Sequence, residues 1–314
     1  FCNLNVNAVI ESADAETIYE VPLLMKREQL DKVVLSKLRL PQRDEPDLEN
    51  WKSFLQRLKN PQSEVTLALV GKYAELPDAY KSILEALVHA GAANEIQIKT
   101  QLIHSEDINP ENVHRRLGEV DGVIVAPGFG PRGTDGKLTT IQYVREHGVP
   151  FLGICLGMQM AVVEFGRNVL GLTNCHSTEF MPDIEHPVIS LMAEQKNVKQ
   201  MGGTMRLGKY DCDLKKDSLA RSLYGKRRIE ERHRHRYEFN NHYLQQYEDA
   251  GMRITGINPE SGLAEIVELP EHQHFIATQF HPEYKSTVEN PHPLFMGLAQ
   301  AMLEFNTSRN RVEV

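Results

Sequence analysis

The 314 residues carry 35 Lys plus Arg against 43 Asp plus Glu, a net charge of −8, with 41% hydrophobic and 7% aromatic residues. Both signs are spread along the chain, so no basic face offers the phosphate-neutralising surface that nucleic-acid binding requires. No apolar run approaches the roughly 20 residues that span a bilayer, and the N-terminus lacks the charged, apolar, small-residue order of a signal peptide. At roughly 150 residues per domain the length allows about two domains, with ample core for at least one. The cysteines Cys2, Cys155, Cys175 and Cys212 show no CxxC spacing. That argues against a zinc knuckle or a disulfide framework and suits a reducing compartment. The expected protein is soluble and cytoplasmic, with no partner among membranes or nucleic acids.

Residues 1–10 (FCNLNVNAVI) read as strand-like, and 21–40 (VPLLMKREQLDKVVLSKLRL) carry apolar residues at helical spacing. Forty residues make too little core alone, so 1–40 are expected to be the end of a larger domain. Residues 41–62 turn polar and proline-bounded, while Leu48, Trp51, Leu55 and Leu58 fall on one helical face. This predicts a linker with one amphipathic helix. From residue 63 onward strands and helices alternate: a strand at 64–70, a helix at 78–90 ended by Gly91, and strands at 95–104 and 121–126. Such alternation predicts a doubly wound, mostly parallel α/β sheet flanked by helices, flavodoxin-like in class, over residues 63–314. In such sheets sites lie beyond the carboxyl ends of strands.

Two loops in those positions draw attention. Residues 127–136 (PGFGPRGTDG) hold four glycines in ten, and the strand 150–154 (PFLGI) runs into CLGMQ. Gly153-Ile154-Cys155-Leu156-Gly157 has the G-x-nucleophile-x-G form of an elbow, in which a strand turns abruptly into a helix and pushes one side chain into the open. Small residues are required two positions either side because strand and helix pass close there. A cysteine at a helix N-terminus also meets unpaired N–H groups and the positive dipole end, which favour the thiolate. Cys155 is therefore a nucleophile candidate, against the plainer reading of a buried structural cysteine. Downstream, the apolar strand 275–280 (FIATQF) precedes His281-Pro282-Glu283. Residues i and i+2 of an extended segment point to one side, and Pro282 keeps the segment out of helical geometry. His281 and Glu283 can form a base and its orienting carboxylate.

GICLGMQ with QFHPE downstream resembles the class I, or triad, glutamine amidotransferases, whose cysteine attacks the side-chain amide of glutamine and releases ammonia. Within them CLGMQ, NCHSTEF (174–180), GGTMRLG (202–208), ERHRHRYEFN (231–240) and QFHPE are similar to the CTP synthase group, across residues 65–306. The resemblance implies that Cys155 is the nucleophile, His281 the general base and Glu283 its orienting group. It implies oxyanion donors at Gly128 and Leu156, and substrate contacts from Gly128, Phe129, Leu156, Gly157, Met158, Gln159, Glu179 and Arg236. One departure stands out: the group commonly reads PGGFG where this chain has Ala126-Pro127-Gly128-Phe129-Gly130, so a proline without an N–H replaces the first glycine. Residues 1–40 then look like the end of a synthetase domain, with 41–62 the linker and 63–314 the amidotransferase domain.

The same resemblance implies L-glutamine as substrate, with no cofactor for the glutaminase step. For the full enzyme it implies UTP and ATP with Mg2+, GTP as an allosteric activator, and a homotetramer. Arg132 is a candidate GTP contact, and Asp14 and Ala15 resemble positions near the adenine of ATP. Residues 130–139 (GPRGTDGKLT) fail the phosphate-loop pattern, because Leu138 follows Lys137, and read as a mobile lid. The alternating HRHR of 233–236 could place two imidazoles on one strand face, but no third ligand is evident and the arginines repel a cation, so no metal is expected. Two other readings remain at this stage: a γ-glutamyl peptidase or hydrolase on the same fold, and a non-catalytic assembly module, against which the intact Cys155, His281 and Glu283 speak.

Overall fold

A computed structural model describes residues 4–42, 44–191 and 205–312, so Cys2 and the Gly202 to Thr204 part of GGTMRLG lie outside the described residues. The chain forms two compact units, Phe1–Asn60 and Pro61–Val314. No helix among the described residues is long and apolar enough to cross a membrane.

In the first unit the strand expected at 1–10 is absent among the described residues, and a short 3₁₀ turn occupies Val6–Ala8. Asn5 accounts for it, because its side chain accepts the Asn7 N–H at 3.1 Å, a local bond that competes with strand pairing. The helical stretch at 21–40 is split into α1 (Val21–Arg27) and α2 (Leu30–Lys37) by Gln29, which sits in the left-handed region at φ 55°. The amphipathic helix appears as α3 (Glu49–Lys59). Its buried residues are Phe54 and Leu55, with Trp51 and Leu58 half-buried and Leu48 at the cap. Phe54 is the member the expected face lacked. Trp51 Nε1 donates to the Tyr19 carbonyl at 2.7 Å, and the Tyr19 and Phe54 rings meet edge to face at 5.0 Å.

The second unit opens with β1 (Ser63–Gly71), α4 (Lys81–Ala93), β2 (Ile96–His104), α5 (Val113–Leu117) and β3 (Gly122–Val125). It continues through α6 (Thr134–His147), β4 (Phe151–Ile154), α7 (Leu156–Asn168), β5 (Cys175–Ser177) and β6 (His186–Leu191). Then come β7 (Arg206–Leu214), α8 (Leu219–Tyr224), β8 (Arg228–His235), β9 (Tyr237–Phe239), α9 (Leu244–Asp249), β10 (Arg253–Ile257), β11 (Ala264–Glu268), β12 (Phe275–Thr278) and α10 (Pro293–Val312). The main sheet has the order β2-β1-β3-β4-β12-β11-β10-β7-β8. The first five strands are mutually parallel, and from β12 onward each neighbour is antiparallel. The α/β class is as expected, and the antiparallel wing is an addition that strand-by-strand reading did not show. A small second sheet joins β5, β6 and β9.

The central strands are apolar throughout because both faces are covered. Val123, Val125, Phe151, Phe275 and Ala277 pack with Ile141, Val144, Met158 and Val162 of α6 and α7. Their alternates Ile124, Leu152, Ile154 and Ile276 pack on the other face with Ile83 and Leu87 of α4 and Leu294, Phe295, Leu298 and Met302 of α10. This sandwich fixes β3, β4 and β12 side by side, so their three carboxyl ends open onto one place.

Candidate active site

Cys155 follows β4 directly and caps α7, with φ 53° and ψ −102°. A non-glycine residue held there is strained, and the surrounding structure must enforce it. The enforcement is visible. The Cys155 N–H donates to the Thr278 carbonyl of β12 at 2.7 Å, and the Cys155 carbonyl accepts from Gln159 N–H at 3.1 Å. A Cβ on Gly153 would lie 2.9 Å from the Ala277 Cβ, and one on Gly157 only 2.3 Å from the Val125 carbonyl oxygen. Both elbow glycines are thus dictated by the close passage of strand and helix. Gly157→Ala is expected to cost about 3 kcal/mol of stability, because the contact is with backbone that cannot rotate aside. Denaturant unfolding of the variant checks this, and an unchanged midpoint would contradict it.

His281 lies just past β12, its N–H bonded to the Arg232 carbonyl at 2.8 Å. Its Nδ1 meets Glu283 Oε1 at 2.7 Å, and both side chains are buried. The Tyr284 ring stacks on the imidazole, 4.8 Å between centroids and 5° between planes. Burial alone would discharge the ring. The charges of the Cys155 sulfur and Glu283, with the Glu283 hydrogen bond, outweigh it and raise the His281 pKa well above the ordinary value. Nδ1 being taken by Glu283, Nε2 is left for the sulfur.

The two groups share a cavity of about 370 Å³ with Gly128, Phe129, Pro127, Arg234, Tyr73, Tyr80 and Tyr284 among its walls. Leu156, Gly157 and Met158 form the buried first turn of α7 beside it. The loop after β3 is held by Lys72, whose ammonium donates to the carbonyls of Phe129 and of Gly130, the latter at 2.8 Å. The Gly130 N–H donates to Glu179 Oε1 at 2.8 Å. Burial raises the Glu179 pKa, against the Gly130 hydrogen bond and the nearby charges of Lys72 and Arg236. Glu179 therefore sits at the edge of the loop that carries Gly128, where it feels the Arg236 charge. Gln159 Nε2 reaches the Tyr237 carbonyl at 2.9 Å and Gln279 Oε1 at 3.2 Å.

One expectation changes. Residues 134–139, expected in a mobile lid, form the first turns of α6, with Gly136, Lys137 and Leu138 buried. Gly133 in the left-handed region at φ 73° starts the helix directly after the turn, which a glycine-rich string conceals. Arg132 projects from that turn, 53% exposed at its side chain, 3.5 Å from Glu106 and over the Tyr73 ring. His233 and His235 do share the buried face of β8, but they face one another at 2.8 Å, while Arg234 from the opposite face reaches the cavity and lies 5.5 Å over the Phe129 ring. Arg234 was missed among the candidates, although alternation along HRHR separates it from the histidines. Gln279 was missed too: its Nε2 lies 3.8 Å from Cys155 Sγ, at the bend that leads from β12 to His281. Asp14 and Ala15 belong to the first unit, in irregular backbone ahead of the Ile18–Glu20 turn.

A sulfur at a strand-to-helix elbow, sharing a cavity with an imidazole that a carboxylate orients, is an arrangement for covalent acyl transfer. The model of the glutamine amidotransferase class-I family matches residues 75–301. The chain belongs to the class-I glutamine amidotransferases. Among solved structures it resembles the glutaminase domain of Trypanosoma brucei CTPS with bound acivicin, at 35% identity and a TM-score of 0.73, covering 76% of this chain and 94% of that one. Among curated amidotransferase relatives, CTP synthase of Cytophaga hutchinsonii is 62% identical over 305 residues, 97% of this chain and 57% of the relative. CTP synthase of Bacteroides fragilis strain YCH46 is 53% identical over 304 residues, again 97% and 57%. The chain thus spans a little over half the length of the curated relatives it matches.

Proposed function

We propose that this chain hydrolyses L-glutamine to glutamate and ammonia through a thioester at Cys155. The observation that carries the reading is the convergence of the Cys155 elbow on β4 with the buried His281–Glu283 pair on the adjacent, parallel β12. Cys155 Sγ attacks the side-chain amide carbon, and the carbonyl oxygen becomes an oxyanion against the N–H groups of Gly128 and Leu156. His281 then passes its proton to the departing nitrogen, so that the C–N bond breaks and ammonia leaves. Water attacks the thioester, His281 takes its proton, and the C–S bond breaks to release glutamate. Preorganised donors of this kind contribute about 10²- to 10³-fold each in rate. Phe129, Gly157, Met158, Gln159, Glu179 and Arg236 are assigned to the substrate. Glu179 and Arg236 fit its ammonium and carboxylate, which a buried pocket must pair.

In the complete protein the ammonia would be used for ATP- and Mg2+-dependent amination of UTP to CTP, with GTP as activator, Arg132 as one of its contacts, and a homotetrameric assembly. A cytoplasmic location goes with that reading. Residues 1–40 would then close the synthetase domain, with Asp14 and Ala15 near its ATP, and 41–62 would link it to the amidotransferase domain.

The test is glutamate release by the purified chain from glutamine, in parallel with a γ-glutamyl dipeptide. Glutamine is expected to be the better substrate in kcat/KM. Preference for the dipeptide would favour a γ-glutamyl hydrolase instead.

A further inference from the structure

Lys137, on the second turn of α6, is fully buried at 0% exposure. Its ammonium donates to the Ala126 carbonyl at 2.7 Å, at the end of β3 and just before Pro127 and Gly128. A Cβ built on Gly128 would lie 3.8 Å from Lys137 Nζ, so the amine sits directly against the proposed oxyanion donor. Among the described residues no carboxylate pairs with it. Burial lowers its pKa to about 7, with Lys72 pushing the same way and the charge of Cys155 opposing both.

A buried lysine without a carboxylate partner is a costly way to fill space that an apolar side chain of similar length could fill. Its placement makes sense only where a negative charge comes and goes. In this centre it does so twice, first on the sulfur and then on the carbonyl oxygen of the tetrahedral intermediate. We propose that Lys137 is a positioning residue of the acyl-transfer centre: tied to the Ala126 carbonyl, its ammonium fixes the loop carrying Gly128 and supplies a buried positive charge to the anion formed at Cys155 and on the substrate. Lys72, directly after β1, does the complementary task, holding the carbonyls of Phe129 and Gly130 further along the same loop. The lysine that fails as part of a phosphate loop thus has a role in the fold of the oxyanion loop.

The proposal rests on the glutaminase reading, and its test separates the two. Lys137→Met is expected to lower kcat for glutamine about 10- to 100-fold with KM within about twofold, the signature of an interaction used in the transition state. Alkylation of Cys155 by iodoacetamide at pH 7, followed by mass spectrometry of its peptide, is expected to slow by a similar factor. The melting temperature is expected to hold or rise, since Met fills the space without desolvating a charge. A purely structural lysine would show the reverse, with stability lost and chemistry kept. A folded Lys137→Met chain with wild-type kcat overturns this proposal alone, whereas an inactive wild-type chain overturns the glutaminase reading and this proposal with it. Should Lys137→Met not fold, Lys137→Gln is read the same way, and failure of both to fold overturns the proposal by assigning Lys137 to the fold.

Discussion

Cys155→Ala is expected to remove glutamine hydrolysis by about 10⁴-fold or more while leaving the protein folded. The loss is that of the covalent path itself, since no other side chain stands at the elbow to form the thioester. The fold should persist because the substitution removes one sulfur atom from a position whose backbone is fixed by the Thr278 and Gln159 bonds. Mass analysis gives the second readout. A glutamine analogue with an electrophilic side chain is expected to add to the peptide containing Cys155 and to spare the other cysteines. Burial pushes the Cys175 thiol up to about 11, against the influence of Arg167, and it pushes Cys212 up further still, with nearby carboxylates adding to the shift. Neither presents a thiolate near neutral pH. Label on Cys175 or Cys212 in place of Cys155, or hydrolysis surviving in Cys155→Ala, would remove Cys155 from the mechanism.

His281→Ala is expected to cost nearly as much as losing the nucleophile, and Glu283→Gln about 10²-fold less than His281→Ala. The ring must carry the proton to the leaving nitrogen, whereas the carboxylate orients the ring and stabilises its charge; a comparable gap separates the carboxylate from its partners in a hydrolase triad. The pH profile should move in a defined direction. Burial disfavours the charged ring, and Cys155 and Glu283 raise its pKa in spite of it. With Glu283→Gln one of the two opposing charges is gone, so the ring loses its proton at lower pH. The alkaline limb of kcat, where the imidazolium donor is lost, should shift to the acid side. The stability linkage has the same sign. A histidine whose pKa is raised on folding contributes stability that is complete below its unfolded value of about 6.5 and fades as pH rises through the folded value. That contribution should shrink in Glu283→Gln. Equal losses of kcat/KM in the two folded variants, or an alkaline limb that stays in place, would show that the division of tasks between His281 and Glu283 is wrong.

Local sequence determined the parts of this site that depend on local geometry. The apolar runs at 64–70 and 121–126 became β1 and β3, for strands covered on both faces need no polar alternation. The glycine spacing around Cys155 marked the elbow because steric closeness two residues either side leaves no room for a Cβ. His281 and Glu283 do meet, at 2.7 Å, but across the start of a 3₁₀ turn at Pro282–Lys285 and not along the extended segment expected, because a proline is well placed at the first position of a helical turn. Where short-range rules compete, the reading slipped. Gly133-Thr134-Asp135-Gly136 has the composition of a loop, yet a left-handed glycine followed by a buried α6 face makes it a helix start. Asn5 captured an N–H that a strand would have needed.

Only the tertiary structure decided which strands are neighbours. Residues 151–154 and 275–278 are more than a hundred positions apart, and no local preference can say that β4 pairs with β12 in parallel register; the two-faced packing of α4, α6, α7 and α10 does. The antiparallel wing from β11 to β8 follows from the same long-range pairing, and it carries Arg234 to the cavity wall. Lys137 shows the limit most plainly. Its residue type and helical position give a solvated cation in isolation, and its burial against the Ala126 carbonyl exists only because α6 packs across the end of β3. Side-chain type and spacing fix what a segment can do next to itself, while charge, burial and partner are properties of the neighbours that folding brings.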